Sequence, residues 1–221
     1  KILIKLNVNM GITAIILAAG NSRRMGQLTK NVPKSMLKVG NIKVIEYHLD
    51  NLYRNKVSEI IIVVGYLSEV IKSYVGETYR SIPIKYVLNS EFASTGHSYS
   101  LFLSLSLINN KNSEILIVHA DGILDPEIYK NTIASAAKNV MPYDSEYEIK
   151  TNDEVFIYSK NDLVTKVSKL NKDLNLSGEM IGLHKFDLEF IKSFRNYLNN
   201  LDYDWKIFNY EPLLNNFIKE N

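Results

Sequence analysis

Four short, nearly continuous apolar runs, each followed by a helical pattern, limit the folds open to this chain more than any other feature. Residues 12–17 (Ile-Thr-Ala-Ile-Ile-Leu), 60–64 (Ile-Ile-Ile-Val-Val), 84–88 and 115–119 (Ile-Leu-Ile-Val-His) are strand-length and rich in β-branched residues. The runs at 12–17, 60–64 and 115–119 read as buried strands, and 84–88 as a further strand of the series. Between and after them, residues 44–53, 67–74, 99–108 and 125–138 carry apolar side chains at helical spacing. The last of these opens with Asp125-Pro126-Glu127: a capping aspartate, a proline at the first helical position and an acid in the first turn. Alternation of this sort predicts a Rossmann-like, mostly parallel sheet with helices on both faces, whose ligand crevice lies beyond the carboxyl ends of its strands.

The first run feeds directly into chemistry. After residue 17 the chain turns from large aliphatics to Ala18-Ala19-Gly20-Asn21-Ser22-Arg23-Arg24-Met25, and Pro33 then presents Lys34 on a rigid turn. Small side chains let a ligand approach the backbone, successive amides form an anion-binding concavity, and Arg24 and Lys34 add fixed charge. A strand, a tight basic loop and a delayed lysine suggest a triphosphate cradle. Arg23 is expected to face solvent. Asp121, just beyond the run 115–119, is the leading candidate for a metal-binding carboxylate, against the plainer reading of an Asp-Gly turn.

The string Leu17-Ala18-Ala19-Gly20-Asn21-Ser22-Arg23-Arg24-Met25 with Thr29 and Pro33-Lys34 resembles the signature of the nucleotidyltransferases that make sugar nucleotides and related activated alcohols. Ser22 stands where many members have a second glycine, a variant found in related branches. The resemblance implies that residues 17–22 hold the triphosphate, that Arg24 neutralises the leaving pyrophosphate and that Lys34 neutralises the α-phosphate. It also implies that Asp121 holds Mg²⁺. Residues 94–101, Ser-Thr-Gly-His-Ser-Tyr-Ser-Leu, resemble the base-contacting loop of cytidylyltransferases for phosphocholine and inositol phosphate. Thr95 and Gly96 are therefore expected at the base, with the missing side chain of Gly96 giving it room, and His97 is read as a polar cap residue. The fragments Val167-Ser168-Lys169-Leu170 and Gly178-Glu179-Met180-Ile181-Gly182 resemble the phosphocholine branch, which implies Lys169 on the acceptor's phosphate and Glu179 as an acceptor contact. A second, late metal aspartate has no clear counterpart. Asp202 or Asp204 is expected to substitute, the alternative being a chain cut before that segment.

From residue 140 the pattern changes. Residues 147–151, 154–158 and 163–167 alternate, with Asn152-Asp153 and Asn161-Asp162 as turns, and read as antiparallel strands. Residues 181–186 form one more strand, and residues 188–198 and 210–219 two helices. The expected organisation is one domain over 10–221, with a nucleotide-binding half at 10–139 and an acceptor lobe at 140–221 on the same sheet. Residues 1–9 are read as an extension or tag.

Composition narrows the function classes. With 221 residues and a net charge of +2, the chain has no global basic field for nucleic acid. Having no cysteines, it cannot use thiolate catalysis, disulfides or cysteine-bound zinc. No apolar run approaches membrane-spanning length, no secretory pattern opens the chain, and a cytoplasmic location is expected. The absence of G-x-G-x-x-G and of a glycine loop before Lys34 disfavours dinucleotide oxidoreductases and P-loop kinases. The expected partners are a nucleoside triphosphate, CTP in first place, and a phosphorylated small alcohol such as phosphocholine or an alkylphosphonate. Sugar 1-phosphates and inositol phosphate stay open as acceptors. So do a non-catalytic nucleotide-binding module and the oligomeric state. If the acceptor is a quaternary ammonium compound, Tyr203, Trp205 and Tyr210 are near enough in sequence to meet it, against the plainer reading that each packs the last two helices.

Overall fold

The computed structural model describes residues 11–21, 23–108, 114–147, 154–169 and 176–220, with the side chains of residues 23 and 24 left aside. The first apolar run forms β1 (Ile12–Ala18). Two short strands, β2 (Lys38–Val39) and β3 (Ile42–Lys43), make a hairpin ahead of helix α1 (Val44–Arg54). Then follow β4 (Glu59–Val64), α2 (Ser68–Val75), a short β5 (Thr78–Tyr79) and β6 (Ile82–Leu88). Helix α3 (His97–Ser104) leads through a 3-10 turn to β7 (Glu114–His119) and α4 (Pro126–Ala134).

The main sheet has the order β7-β1-β4-β6, all parallel, flanked by β5 on one edge and by a strand from the far end of the chain, β12 (Leu183–Asp187), on the other. Both flanking strands run antiparallel. The runs in β1, β4 and β7 work as expected of strands covered twice, whereas β6 alternates and leaves Lys85 and Leu88 exposed. On β4, Ile60, Ile62 and Val64 face a core shared with Ile45, Leu49 and Leu52 of α1, Ile71 of α2 and Tyr129 of α4. Ile61 and Val63 face the other core, with Leu101 of α3 and the side chains of α5 (Leu188–Asn199) and α6 (Tyr210–Glu220). Burial of both faces is what calls for unbroken aliphatics instead of alternation.

Helix α4 caps as the sequence predicts, with Asp125 accepting from Glu127 N at 2.8 Å. It stops at Ala134 and does not run on to 138. The Ser135 hydroxyl oxygen accepts from Ala137 N at 3.3 Å, a local turn that competes with helical bonding. The carbonyls of Ile133 and Ser135 are taken by the buried ammonium of Lys185, which also pairs with Glu114 at 3.1 Å.

The strands after residue 140 do not extend the main sheet. They form their own four-stranded antiparallel sheet in the order β10-β9-β11-β8: β8 (Tyr143–Asp144), β9 (Phe156–Lys160), β10 (Leu163–Ser168) and β11 (Leu176–Met180). Only β12 returns to the main sheet. The β9–β10 turn is Asn161-Asp162, both at positive φ, the residue types that tolerate it. The expected strand at 147–151 and the Asn152-Asp153 turn fall almost wholly outside the described residues. Helix α6 ties the two sheets together, its Asn215 accepting from Val167 N of β10 at 3.1 Å.

Candidate active site

Strand order reverses at β1. The chain leaves β1 for β4 on one flank and later returns to β7 on the other, so the ends of β1 and β7 diverge into loops on opposite sides. Leu17 pairs with His119 at this mouth. A cavity of about 1140 Å³ opens there, enough for two small substrates. The two strand ends, the starts of α3 and α6 and, from the smaller sheet, Glu154, Lys169, Glu179 and Met180 line it.

Leu17, Ala18, Ala19, Gly20 and Asn21 all line this cavity. A Cβ on Gly20 would meet nothing within 4 Å, so its bareness leaves space on the cavity side and its φ is not in the left-handed region. The loop is anchored from behind by Tyr66 N donating to Ala19 O at 3.1 Å. Ser22 and the Arg24 side chain lie outside the described residues.

Lys34 leaves a single 3-10 turn that Pro33 opens and the buried Met36 anchors. Its ammonium donates to Asp121 Oδ2 at 2.9 Å, joining two residues 87 positions apart in the chain. Desolvation raises the Asp121 carboxyl, but Lys34, with His119 and His97 beyond it, outweighs that and holds it below the usual range. The pair therefore presents an ionised carboxylate and an ammonium side by side in the cavity.

The loop 89–96 is organised by buried Asn89, whose amide donates to Thr95 Oγ1 at 3.1 Å and to Ser100 Oγ at 3.0 Å. The Thr95 hydroxyl itself donates to Glu91 O at 2.8 Å, so its proton serves the loop. Gly96 lines the cavity, but its missing side chain has another cause than the one expected. A Cβ there would lie 1.9 Å from Phe208 O, and Gly96 N donates to Lys206 O at 2.7 Å. The glycine is required by backbone-to-backbone packing.

Behind this loop sits a group that sequence reasoning did not find. His97 Nε2 lies 3.5 Å from Glu211 Oε1, and His119 Nε2 is 2.9 Å from the Tyr210 hydroxyl, which is 2.7 Å from His184 Nδ1. Burial keeps these imidazoles neutral: His97 and His119 are lowered to about 4 and His184 to about 3. Burial also raises the Glu211 carboxyl, partly countered by His119 and Lys169. Of the late carboxylates, Asp202 and Asp204 do not line the cavity, and Asp204 instead caps the 3-10 turn Trp205–Ile207 through Lys206 N. Glu211, in the first turn of α6, does line it. His119 could have been found, since residues at strand carboxyl ends face the crevice. Nothing local marks Glu211. The aromatic candidates serve packing. Trp205 is packed edge-on to Phe102, Tyr210 is buried in the histidine group, Tyr203 leans on Phe208, and none of the three lines the cavity.

A loop of small residues, an ammonium and a carboxylate at the switch point of a doubly covered sheet are the setting in which α/β proteins commonly bind nucleotides. The chain belongs to the MobA-like NTP transferase domain family, whose model matches residues 14–178. It is 31% identical over 149 residues to a choline-phosphate cytidylyltransferase of Streptococcus pneumoniae, covering 67% of this chain and 59% of that one. It is 27% identical over 207 residues to a CTP:phosphoglutamine cytidylyltransferase of Campylobacter jejuni, covering 87% and 80%. Among solved structures, the inositol-1-phosphate CTP transferase from T. maritima superposes with a TM-score of 0.77 at 17% identity, covering 96% of this chain and 83% of that one, a likeness of fold. The relatives include cytidylyl-, guanylyl- and uridylyltransferases, and the family is one of nucleotidyltransferases. No helix among the described residues is long and apolar enough to cross a membrane.

Proposed function

We propose that this chain transfers CMP from CTP to a phosphorylated small molecule carrying an amine, releasing pyrophosphate. The observation that carries the reading is the Lys34–Asp121 pair at the switch point, in one cavity with Lys169 and Glu179 of the smaller sheet. Several relatives point to amine-bearing acceptors by name: a choline-phosphate cytidylyltransferase, a 2-aminoethylphosphonate cytidylyltransferase and a CMP-5'-(3-aminopropyl)phosphonate synthase.

In this reading an oxygen of the acceptor's phosphate attacks the α-phosphorus of CTP. The new P–O bond forms as the bond to pyrophosphate breaks in line, and both products leave as anions. Such a reaction asks the protein mainly to position groups and offset charge. The amides and small side chains of residues 18–21 take the phosphates, and Arg24 neutralises the pyrophosphate. Lys34 lies against the α-phosphate, and Asp121 presents an ionised oxygen to a hard cation. A carboxylate in an open cavity suits Mg²⁺, which is commonly held by one or two carboxylates plus phosphate oxygens. When bound, Mg²⁺ supplies neutralisation of the triphosphate. Lys169 holds the acceptor's phosphate, while Glu179 and neighbouring Glu154 set an acidic wall against its amine.

The test is a pyrophosphate-release screen. The four triphosphates are crossed with phosphocholine, 2-aminoethylphosphonate, inositol 1-phosphate and glucose 1-phosphate, and products are identified by mass. Turnover with CTP and an amine-bearing acceptor is expected. A preference for UTP with a sugar phosphate would overturn the acceptor reading, and binding of CTP without turnover on any acceptor would overturn the enzymatic one.

A further inference from the structure

Beside Asp121, on different elements, the cavity wall carries a second set of metal-ligand side chains. One ligand atom each from His97, His119 and Glu211 lies within 4.8 Å of the others. We propose that these three residues form a site for a divalent cation of the zinc class, open toward the cavity and separate from the magnesium proposed at Asp121.

Three features support it. First, the donors come from three well-anchored elements. His119 ends the central strand β7. His97 begins α3, where Gly96 packs on the Phe208 backbone and Ser98 donates to Phe208 O at 2.5 Å. Glu211 sits in the first turn of α6. Second, buried polar atoms in the cluster have no partner: Glu211 Oε2 and His97 Nδ1. A carboxylate oxygen that is nearly inaccessible and unpaired calls for a cation or a proton. Third, the outer support is present. The Tyr210 hydroxyl lies against one nitrogen of His119 and one of His184, an arrangement that holds ring orientation as outer partners of metal-bound histidines do.

The donor set decides the kind of ion. Two imidazoles and one carboxylate favour zinc, cobalt and nickel over magnesium, which takes oxygen donors. Three protein donors leave a coordination position for water or a substrate oxygen, as in open zinc sites. All three residues line the substrate cavity, so that position faces it. The inference does not rest on the acceptor reading, because the binding is measured without substrates.

The test uses the full chain, stripped with a chelator and titrated with Co²⁺ while its visible absorption is followed. One equivalent of Co²⁺ should bind with a nitrogen-type spectrum, be displaced by Zn²⁺ and resist about 100-fold excess Mg²⁺. His97→Asn and Glu211→Gln should each weaken Co²⁺ binding by at least ~10-fold, whereas Asp121→Asn should leave it within about twofold. Circular dichroism and melting of the metal-free variants check that they fold. Should either fail to fold, X-ray absorption at the zinc edge of the unsubstituted protein decides: two nitrogen neighbours support the site, and an all-oxygen neighbourhood overturns it. Absence of stoichiometric Co²⁺ or Zn²⁺ binding, equal competition by Mg²⁺, or loss of the signal in Asp121→Asn with retention in Glu211→Gln also overturns it.

Discussion

The two sides of the cavity are built in opposite ways. The side that the proposed reading gives to the triphosphate hangs on the ends of parallel strands covered on both faces: the residues below Gly20 and Asp121 are buried aliphatics, and Lys34 is fixed by Pro33 and Met36. The side that the proposed reading gives to the acceptor hangs on a small antiparallel sheet, with Lys169 just beyond β10 and Glu179 near the end of β11, strands with irregular register. Stiff strand ends suit chemistry that tolerates little displacement, since positioning errors of about an ångström cost rate steeply. Side chains beside or near the ends of short strands, away from the buried Phe156, Ile157 and Tyr158, can be exchanged without disturbing a core. The nucleotide side should therefore govern turnover, and the acceptor side should govern which second substrate is used.

The largest effect that would break this contrast lies at the ion pair. Lys34→Ala and Asp121→Asn are each expected to lower kcat by ~100- to 1,000-fold, the scale of removing one preorganised electrostatic group, with little change in melting temperature. Steady-state kinetics at saturating CTP and acceptor measure it. A variant that loses only acceptor affinity would move its residue to the other side.

Next come two glycines of the triphosphate side that look alike in sequence. Gly96→Ala should cost at least about 2 kcal/mol in denaturant unfolding, because its Cβ meets the Phe208 backbone. Gly20→Ala should leave stability nearly unchanged while raising the KM for CTP, because its Cβ enters open cavity. Equal stability losses would mean that both glycines serve packing.

Acid should distinguish the two regions too. All four histidines, 48, 97, 119 and 184, belong to the body of the main sheet and none to the small sheet. They are held at about 4, 4, 4 and 3, below the ordinary 6.5. Between pH 6.5 and about 4 the unfolded chain thus binds more protons than the folded one. Stability is full above 6.5 and falls with pH across that window. Glu211, raised by burial, takes its proton early in the folded state and offsets up to one of the four. Urea melts at pH 7.5, 6 and 5 should show the decline, and a flat profile would contradict neutral burial of the imidazoles.

The smallest effect is on the acceptor side. Lys169→Ala should raise the acceptor KM by ~10-fold and leave the CTP KM within twofold, on the scale of one charge-assisted hydrogen bond. Equal shifts in both constants would remove the division between the two sides.

Much of this was legible in the sequence where local physics decides. Aliphatic continuity marked β1, β4 and β7, helical spacing marked α1 and α6, Asp125-Pro126 marked the start of α4, and Asn161-Asp162 marked a hairpin. The change in composition after residue 17 marked a loop that lines the cavity. Periodicity reports burial of neighbours within one element, so it could not say that residues 143–180 would form a separate sheet while β12 rejoined the first. Nor could it pair Lys34 with Asp121, since that contact exists only because strand order reverses at β1. Gly96 read as room for a base, and only the approach of the Phe208 backbone showed what its bareness serves. The meeting of His97, His119 and Glu211 had no local signal at all. Each is an ordinary residue at the end of its own element, and it is the packing of α3 and α6 against the end of β7 that brings them within a few ångströms.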